Sequence, residues 1–321
     1  MTYLLFGGSG FIGTHLVNLI HGKHPDAAIY NLDLVENNHN GKSVFIPCDV
    51  RTEIKPDLAL NNQDVIFNLA AVHRTPGHPD PAYFETNIKG AENVCNFARK
   101  HGISRIVFTS SIAPYGAAED LKQEDTLPTP NSPYGISKLV AEKIHQIWQA
   151  EIPGRELTIV RPGVVFGQGE NGNFTRLYWG IRNNRFFYPG RKDTIKACIY
   201  VKELANFMLY KLEHHTQGTE LFNCTYEPAF TIEQIVETMK SQTGMKRHIV
   251  KVSGKLLMGV AKIVGPLGGK KLGIHPDRVR KLMISTNISG KKLAASGYEF
   301  NYTFQEAIRD WFKDNGEKFL K

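Results

Sequence analysis

The stretch Tyr3-Leu4-Leu5-Phe6-Gly7-Gly8-Ser9-Gly10-Phe11-Ile12-Gly13 decides the fold. Tyr3–Phe6 is a short apolar run that reads as a buried strand. From Phe11 to His21 the apolar residues Phe11, Ile12, Leu16, Leu19 and Ile20 recur at helical spacing. Between the two lie glycines that satisfy both G-x-x-G-x-x-G and G-x-G-x-x-G. A strand that turns sharply into a helix needs glycine where a diphosphate must approach the backbone. The N–H groups that open the helix, around Gly10, Phe11, Ile12 and Gly13, have no partner within the helix. They offer an anion both donors and the positive end of the helix dipole. Gly7, Gly10 and Gly13 therefore predict a dinucleotide site.

Working outward, Ala28–Asp33 is the next strand, and Asp33 stands twenty residues beyond Gly13. A carboxylate there accepts from adenosine ribose hydroxyls and repels a 2′-phosphate. The expected cofactor is thus NAD, not NADP. Further strands are expected at Ser43–Pro47, Val65–Ala70, Arg105–Ser110 and Leu157–Arg161. Helices are expected over Tyr83–Lys100 and Pro133–Gln149. This alternation predicts an α/β fold, a Rossmann-type doubly wound parallel sheet with helices on both faces. After Arg161 the pattern changes. Pro162–Gly172 reads as loop, Ala197–Leu212 as a strand entering a helix, and Thr231–Gly244 as a threonine-capped helix. The expected organisation is a dinucleotide-binding domain over 1–166, with a returning segment at 197–224. A smaller substrate lobe would take 167–196 and 225–321.

Bulk properties narrow the function. With 321 residues, 41% hydrophobic and 22% charged, the chain can bury a large core and is not disordered. It has no apolar run near the ~20 residues of a membrane span, and no basic leader precedes the first strand. A cytoplasmic enzyme without stable membrane insertion is expected. Cys48, Cys95, Cys198 and Cys224 show no metal-ligand spacing and read as reduced thiols. No metal is expected. The net charge of +8 has its excess around Lys251–Lys281. No nucleic-acid motif accompanies it, so an anionic cofactor and substrate are the expected partners. Lys255–Leu267 interleaves lysines with Leu256, Leu257, Val260, Ile263 and Val264. It reads as a helix over the substrate cleft or, alternatively, as an amphipathic membrane-surface helix.

Tyr134-Gly-Ile-Ser-Lys138 is the second constellation. Residues four apart on a helix share a face, and an ammonium near a phenol favours the phenolate. Tyr134 can then exchange a proton with an alcohol or ketone, its pKa expected below the usual value. Lys138 can also hold a cofactor ribose. Thr109-Ser110-Ser111 ends a strand, where open sheets bind ligands. Ser111 could bond the substrate oxygen beside the tyrosine.

With these residues the sequence resembles the extended short-chain dehydrogenase/reductases, specifically the NAD-dependent epimerase/dehydratase branch that acts on nucleotide sugars. The resemblance rests on Gly7–Gly13, Asp33, Asp49-Val50, Asn68–Ala71, Asn87 with Gly90 and Asn93, Phe108–Ser111, Tyr134–Lys138, Arg161-Pro162 and Ile199-Tyr-Val. It implies Tyr134 as acid/base, Lys138 as its partner and Ser111 as the substrate hydroxyl. It sets Asp49 and Val50 at the adenine and Leu69, Ala70 and Ala71 along the cofactor cleft. Asn173, Phe174, Lys196 and Arg280 are expected at the substrate, Lys196 standing where relatives carry an arginine. The two long helices resemble those of a homodimer interface. Ile112-Ala113 occupies the place of the Asp-Glu pair of dehydratases, so water elimination is not expected. A nucleoside-diphosphate-sugar 4-epimerase is the leading expectation. A dehydrogenase or ketoreductase on a sugar nucleotide or sterol-like alcohol, or a non-catalytic NAD-binding regulator, are the alternatives.

Overall fold

The computed structural model describes residues 1–37, 39–73, 77–116, 118–216, 218–253 and 283–321. Seven strands make its main sheet: β1 (Thr2–Phe6), β2 (Ala28–Asp33), β3 (Val44–Pro47), β4 (Val65–Asn68), β5 (Arg105–Thr109), β6 (Glu156–Pro162) and β7 (Gly218–Cys224). Their order is β3-β2-β1-β4-β5-β6-β7. Every neighbouring pair is parallel. The chain leaves β1 in one direction for β2 and β3, then returns to β1's other side for β4. That reversal opens a crevice at the carboxyl ends of β1 and β4. All four residues of β4 are buried, as is Tyr3–Phe6 of β1. Central parallel strands covered on both faces must be apolar along their length, and these are.

The longer helices among the described residues are α1 (Phe11–Lys23), α2 (Asp80–Lys100), α3 (Pro133–Ala150), α4 (Asn173–Arg182), α5 (Val201–Glu213), α6 (Ile232–Gln242) and α7 (Phe304–Asp314). Leu16, Val17 and Ile20 of α1 join Leu204 and Met208 of α5 on one face of the sheet. Val94 and Phe97 of α2 join Ala141 and Trp148 of α3 on the other. The doubly wound, two-faced sheet matches the expected fold. Helix α2 begins at Asp80, a turn before the expected Tyr83, because Pro79 at its N-cap and Pro81 in its first turn set the start.

A third core lies beyond the sheet. Phe166, Phe174 and Tyr178 pack with Phe304, Ile308 and Trp311, so α4 and α7 share one interior. Neither helix was expected. Glycines crowd the approach to α4, and no side chain caps it at Gly172. Helix α7, by contrast, carries a capping box of Thr303 and Glu306 that is visible in the sequence. A small four-stranded sheet joins Phe230–Thr231, Ile195–Lys196, Thr286–Ile288 and Ala118–Lys122. It ties an excursion after β5 to the later half of the chain. Lys255–Leu267 and Arg280 lie outside the described residues. Cys95, Cys198 and Cys224 are buried and all four thiols are free. Among the described residues no helix is long and apolar enough to cross a membrane, and no cluster could hold a metal ion.

The third core makes a stability prediction. Phe166 stacks on Phe174 at 4.6 Å and meets the edge of Phe304 at 5.6 Å. Phe166→Ala should cost about 3–5 kcal/mol, the usual loss for deleting a buried aromatic. Urea unfolding measures it, and a loss under ~1 kcal/mol would show that this interior collapses around the gap.

Candidate active site

Helix α1 starts directly from the end of β1, and the glycines are there for steric reasons. Gly7 has φ +82°, and a Cβ on it would lie 2.7 Å from the Ala70 backbone nitrogen. A Cβ on Gly13 would lie 2.4 Å from the Gly8 carbonyl oxygen. The loop therefore presses against the end of β4 and against its own helix. At Gly10 a Cβ would meet only the Gly7 oxygen, at 3.2 Å. No side chain caps α1, and its first turn holds no acid. The first N–H groups, at Phe11 and Ile12, remain available to an anion.

Asp33 stands at the end of β2 beside this loop. Its Oδ2 accepts from Ser9 N–H at 2.9 Å, and its Oδ1 from Leu34 N–H at 2.7 Å. Asn31 adds a bond from its Nδ2 to the Ser9 hydroxyl. The carboxylate thus clamps the loop, and its remaining lone pairs can still accept from a ribose. Val50 lies against α2, where a Cβ on Gly90 would sit 2.9 Å from its Cγ2. Asn93 Nδ2 holds the Val50 carbonyl at 2.7 Å. Asp49 is paired with Arg51 at 2.7 Å, whose hydrogen bonds hold its carboxyl below the usual range. After β4, Leu69 N–H donates to Phe6 O, which keeps Leu69, Ala70 and Ala71 at the crevice between β1 and β4.

The trio Thr109-Ser110-Ser111 at the end of β5 divides into three different tasks. Thr109 turns its hydroxyl to the Met208 sulfur, and its carbonyl accepts from Lys138 Nζ at 2.7 Å. Ser110 is buried and donates to Glu142 on α3. Only Ser111 faces Tyr134, whose phenol it hydrogen-bonds. Ser111 Oγ already accepts from Ala113 N–H at 3.1 Å, which leaves its own proton free to point at the phenol.

Helix α3 owes its position to several exact fits. Ser132 caps it by accepting from Gly135 N–H, with Pro133 in the first turn. A Cβ on Gly135 would lie 2.7 Å from the Ala113 carbonyl, so only glycine lets α3 approach the turn Ala113–Tyr115. Asn87 on α2 braces the assembly. Its Oδ1 accepts from Val72 N–H at 2.9 Å, while its Nδ2 donates to Val72 O and Ser137 Oγ. Ser137 in turn donates to the Tyr134 carbonyl. Gly135, Ser137 and Glu142 were not singled out in the sequence, although each lies within about one turn of Tyr134 or Lys138 on the same helix.

The electrostatics differ from the expectation in one respect. The Tyr134 phenol is pushed up, not down, to about 12. Burial is the main cause. The Ser111 bond opposes it, and Tyr83, its ring 6.2 Å away, reinforces it. The Lys138 ammonium bonds the Thr109 carbonyl and lies 4.8 Å over the Phe108 ring. Burial lowers Lys138 to about 7, against the opposing pull of Glu142.

Residues 3–225 match the model of the NAD-dependent epimerase/dehydratase family. The chain belongs to the NAD-dependent epimerase/dehydratase family. It is 32% identical, over 95% of its length and 92% of the relative's, to N-acetyl-α-D-glucosaminyl-diphospho-ditrans,octacis-undecaprenol 4-epimerase of Escherichia coli O157:H7. It is 34% identical to a putative UDP-glucose 4-epimerase of Methanocaldococcus jannaschii, covering 77% of this chain and 84% of that one. Its fold matches that of a UDP-glucuronic acid 4-epimerase from Bacillus cereus in complex with NAD. The TM-score is 0.73 at 19% identity, with 98% and 99% of the two chains covered. The protein is thus an enzyme of an NAD-dependent family, and its glycine loop, uncapped α1 and Asp33 fit that cofactor.

The expected substrate residues of this family member are placed unequally. Asn173 is exposed at the first turn of α4, with its Oδ1 accepting from Arg176. Phe174 is a core residue. Its ring is stacked on Phe166, which leaves it no face for a substrate. Lys196 donates to the Ile284 carbonyl at 2.6 Å, and burial lowers it to about 8.

Lys138 gives a pH prediction. Its pKa is near 7 in the folded protein and 10.5 when unfolded. Between those values the unfolded chain binds more protons, so this lysine makes stability rise with pH across that window. Lys138→Met should remove the contribution. Urea midpoints of the parent should climb, relative to the variant, from about pH 7 to about pH 10. A constant difference between the two proteins would show that Lys138 titrates normally.

Proposed function

We propose that this enzyme is a 4-epimerase of a sugar carried on a diphosphate, with a nucleoside diphosphate sugar as the leading substrate. The observation that supports it best is the convergence of Ser111, Tyr134 and Lys138 at the end of β5, next to a complete dinucleotide loop. The turn that follows Ser111 also argues against dehydration. Ile112 packs with Tyr115 and Ile288, and Ala113 offers only its backbone, so this turn has no carboxylate to drive elimination.

NAD, when bound, supplies the hydride acceptor and donor, together with a positive ring that favours a phenolate. The chain's own residues manage the proton. Tyr134 receives it from the sugar hydroxyl as the carbon is oxidised, and returns it after the keto sugar has presented its other face. Ser111 donates to the oxygen that changes between alcohol, ketone and alcohol. Lys138, held by the Thr109 carbonyl, is placed to bind the cofactor ribose. Gly7 to Gly13 cradle the diphosphate of the cofactor, and Asp33 its adenosine ribose. Asn173 and Lys196 are the substrate contacts we retain. The proton and the hydride both return, so no net NADH accumulates.

A second reading concerns the carrier. The E. coli relative acts on an undecaprenol-linked sugar, and this chain covers 92% of it. Both carriers present a glycosyl diphosphate, so the catalytic proposal is common to them.

We also propose a homodimer through α2 and α3. Ile136, Val140 and Ile147 follow one stripe of α3 and are exposed by 41%, 36% and 61%. Ile147 borders a groove with Glu92, Asn96 and Arg99 of α2. A stripe of this kind on two adjacent helices suits a two-fold pairing with itself.

Two measurements test these readings. Purified enzyme should interconvert C4-epimers of a UDP-hexose or UDP-N-acetylhexosamine by NMR, without steady NADH absorbance. Tyr134→Phe should lower that rate by roughly 10²–10⁴-fold while NAD binding persists. Inactivity on every nucleotide sugar, with turnover of a polyprenyl-diphosphate sugar, would transfer the assignment to the second carrier. Light scattering should give a dimer mass for the parent and a monomer mass for Ile147→Glu. A monomeric parent at micromolar concentration refutes the pairing.

A further inference from the structure

Helices α4, α6 and α7 end close together, far along α4 from Asn173. Their ends enclose a cleft of about 410 Å³ lined by Tyr178, Phe312 and Met245 and by the cations Arg182, Lys246, Arg247 and Lys318. One acid, Glu317, is also present. All four cations are exposed. The bonds they make go to neutral acceptors. Arg182 donates to the Tyr178 hydroxyl and the Lys318 carbonyl, and Arg247 donates to the Arg182 carbonyl. Their charge is therefore directed at solvent and is not spent on carboxylates.

Two further observations bear on the same face. The short strands Tyr188–Pro189 and Lys251–Val252 pair in parallel just after the cleft residues, with Tyr188 opposite Lys251. This places Phe187 next to Val250, and both are exposed, by 36% and 54%. An apolar pair thus borders the basic cleft. The described stretch 243–253 is basic as well, with Lys246, Arg247 and Lys251 and no acidic residue.

We propose that this face docks on an anionic phospholipid bilayer. Clusters of four to eight Lys and Arg beside apolar residues are the pattern that anionic headgroups attract. Surface charge or a shallow apolar contact alone binds only marginally, and the two together hold a protein at the interface. A nucleic acid would accept the same charge. Val250 beside Phe187 suits the acyl boundary better than base stacking, and the sequence contains no nucleic-acid motif. The lipid-carrier reading above adds a reason for the enzyme to visit a membrane, because an undecaprenol chain resides in one. The surface itself does not depend on that reading.

The test uses the full chain and sedimentation with vesicles. Protein should pellet with vesicles of phosphatidylcholine containing about a third phosphatidylglycerol. It should stay mostly soluble with phosphatidylcholine alone, and raised salt should release it. The variant Lys246→Glu/Arg247→Glu/Lys318→Glu should lose at least about tenfold in partitioning. Its circular dichroism and its turnover of a soluble UDP-sugar should match the parent's. Equal binding to both vesicle types overturns the proposal, as does unaltered binding of the variant. Tight binding of duplex DNA in place of vesicles overturns it in favour of a nucleic-acid surface. Vesicle binding requires no turnover, so a failure here is distinguishable from a failure of the epimerase reading.

Discussion

A buried ion pair fixes the relation between sheet and catalytic helix. Arg161 at the end of β6 donates through Nε and Nη2 to the two oxygens of Glu142 on α3, at 2.8 and 2.6 Å. The two side chains are 3% and 2% exposed. Two charges so far from water are tolerated only with near-complete compensation. The remaining partners come from other elements. Ser110, just after β5, donates to Glu142. The Arg161 guanidinium lies 4.7 Å over the Tyr115 ring, and the Tyr115 hydroxyl reaches Asn223 on β7. One network thus joins the ends of β5, β6 and β7 to α3. A slip of α3 by one turn would displace Tyr134 by about 5.4 Å and leave the pair unmatched. The ion pair need not add net stability to be useful, because its geometry admits only one register.

The same constraint explains why three residues on α3 fall at four-residue intervals. Glu142 anchors the helix, Lys138 points at the end of β5, and Tyr134 reaches the crevice. Each lies one turn above the last on a single face. The anchor also acts on the lysine, since its carboxylate is the charge that opposes the lowering of Lys138. Asn87 fixes the other edge by tying α3 to the loop after β4. The site is therefore held from the sheet by charge and from α2 by an amide. Both supports are buried, where such bonds are strongest and hardest to lose.

Much of this was legible in the sequence, for identifiable reasons. Glycine at 7, 10 and 13 reports a backbone demand that few other residues can meet, and Asp33 follows at a fixed interval. Strand-helix alternation reported the parallel sheet. What escaped notice was set by contacts distant in sequence. Ser110 and Ser111 are chemically identical, and only the position of α3 sends one to Glu142 and the other to Tyr134. Phe174 looks like a substrate contact until Phe166 and Phe304, from separate segments, close on its ring. Helix α4 lacks a side-chain cap, so its start left little local signal. Helix α7 was a different case, because its capping box was present and went unread.

The height of the Tyr134 pKa follows from the same burial that orders the site. Here the phenol stays protonated at neutral pH, and the nearby lysine has been brought to about 7, where it can gain or lose a proton at little cost. A reversible reaction asks one group to act first as base and then as acid. Positive charge brought into the crevice by a bound cofactor would favour the ionised phenol. Ser111 is oriented to favour the ionised form, yet its single bond does not outweigh burial.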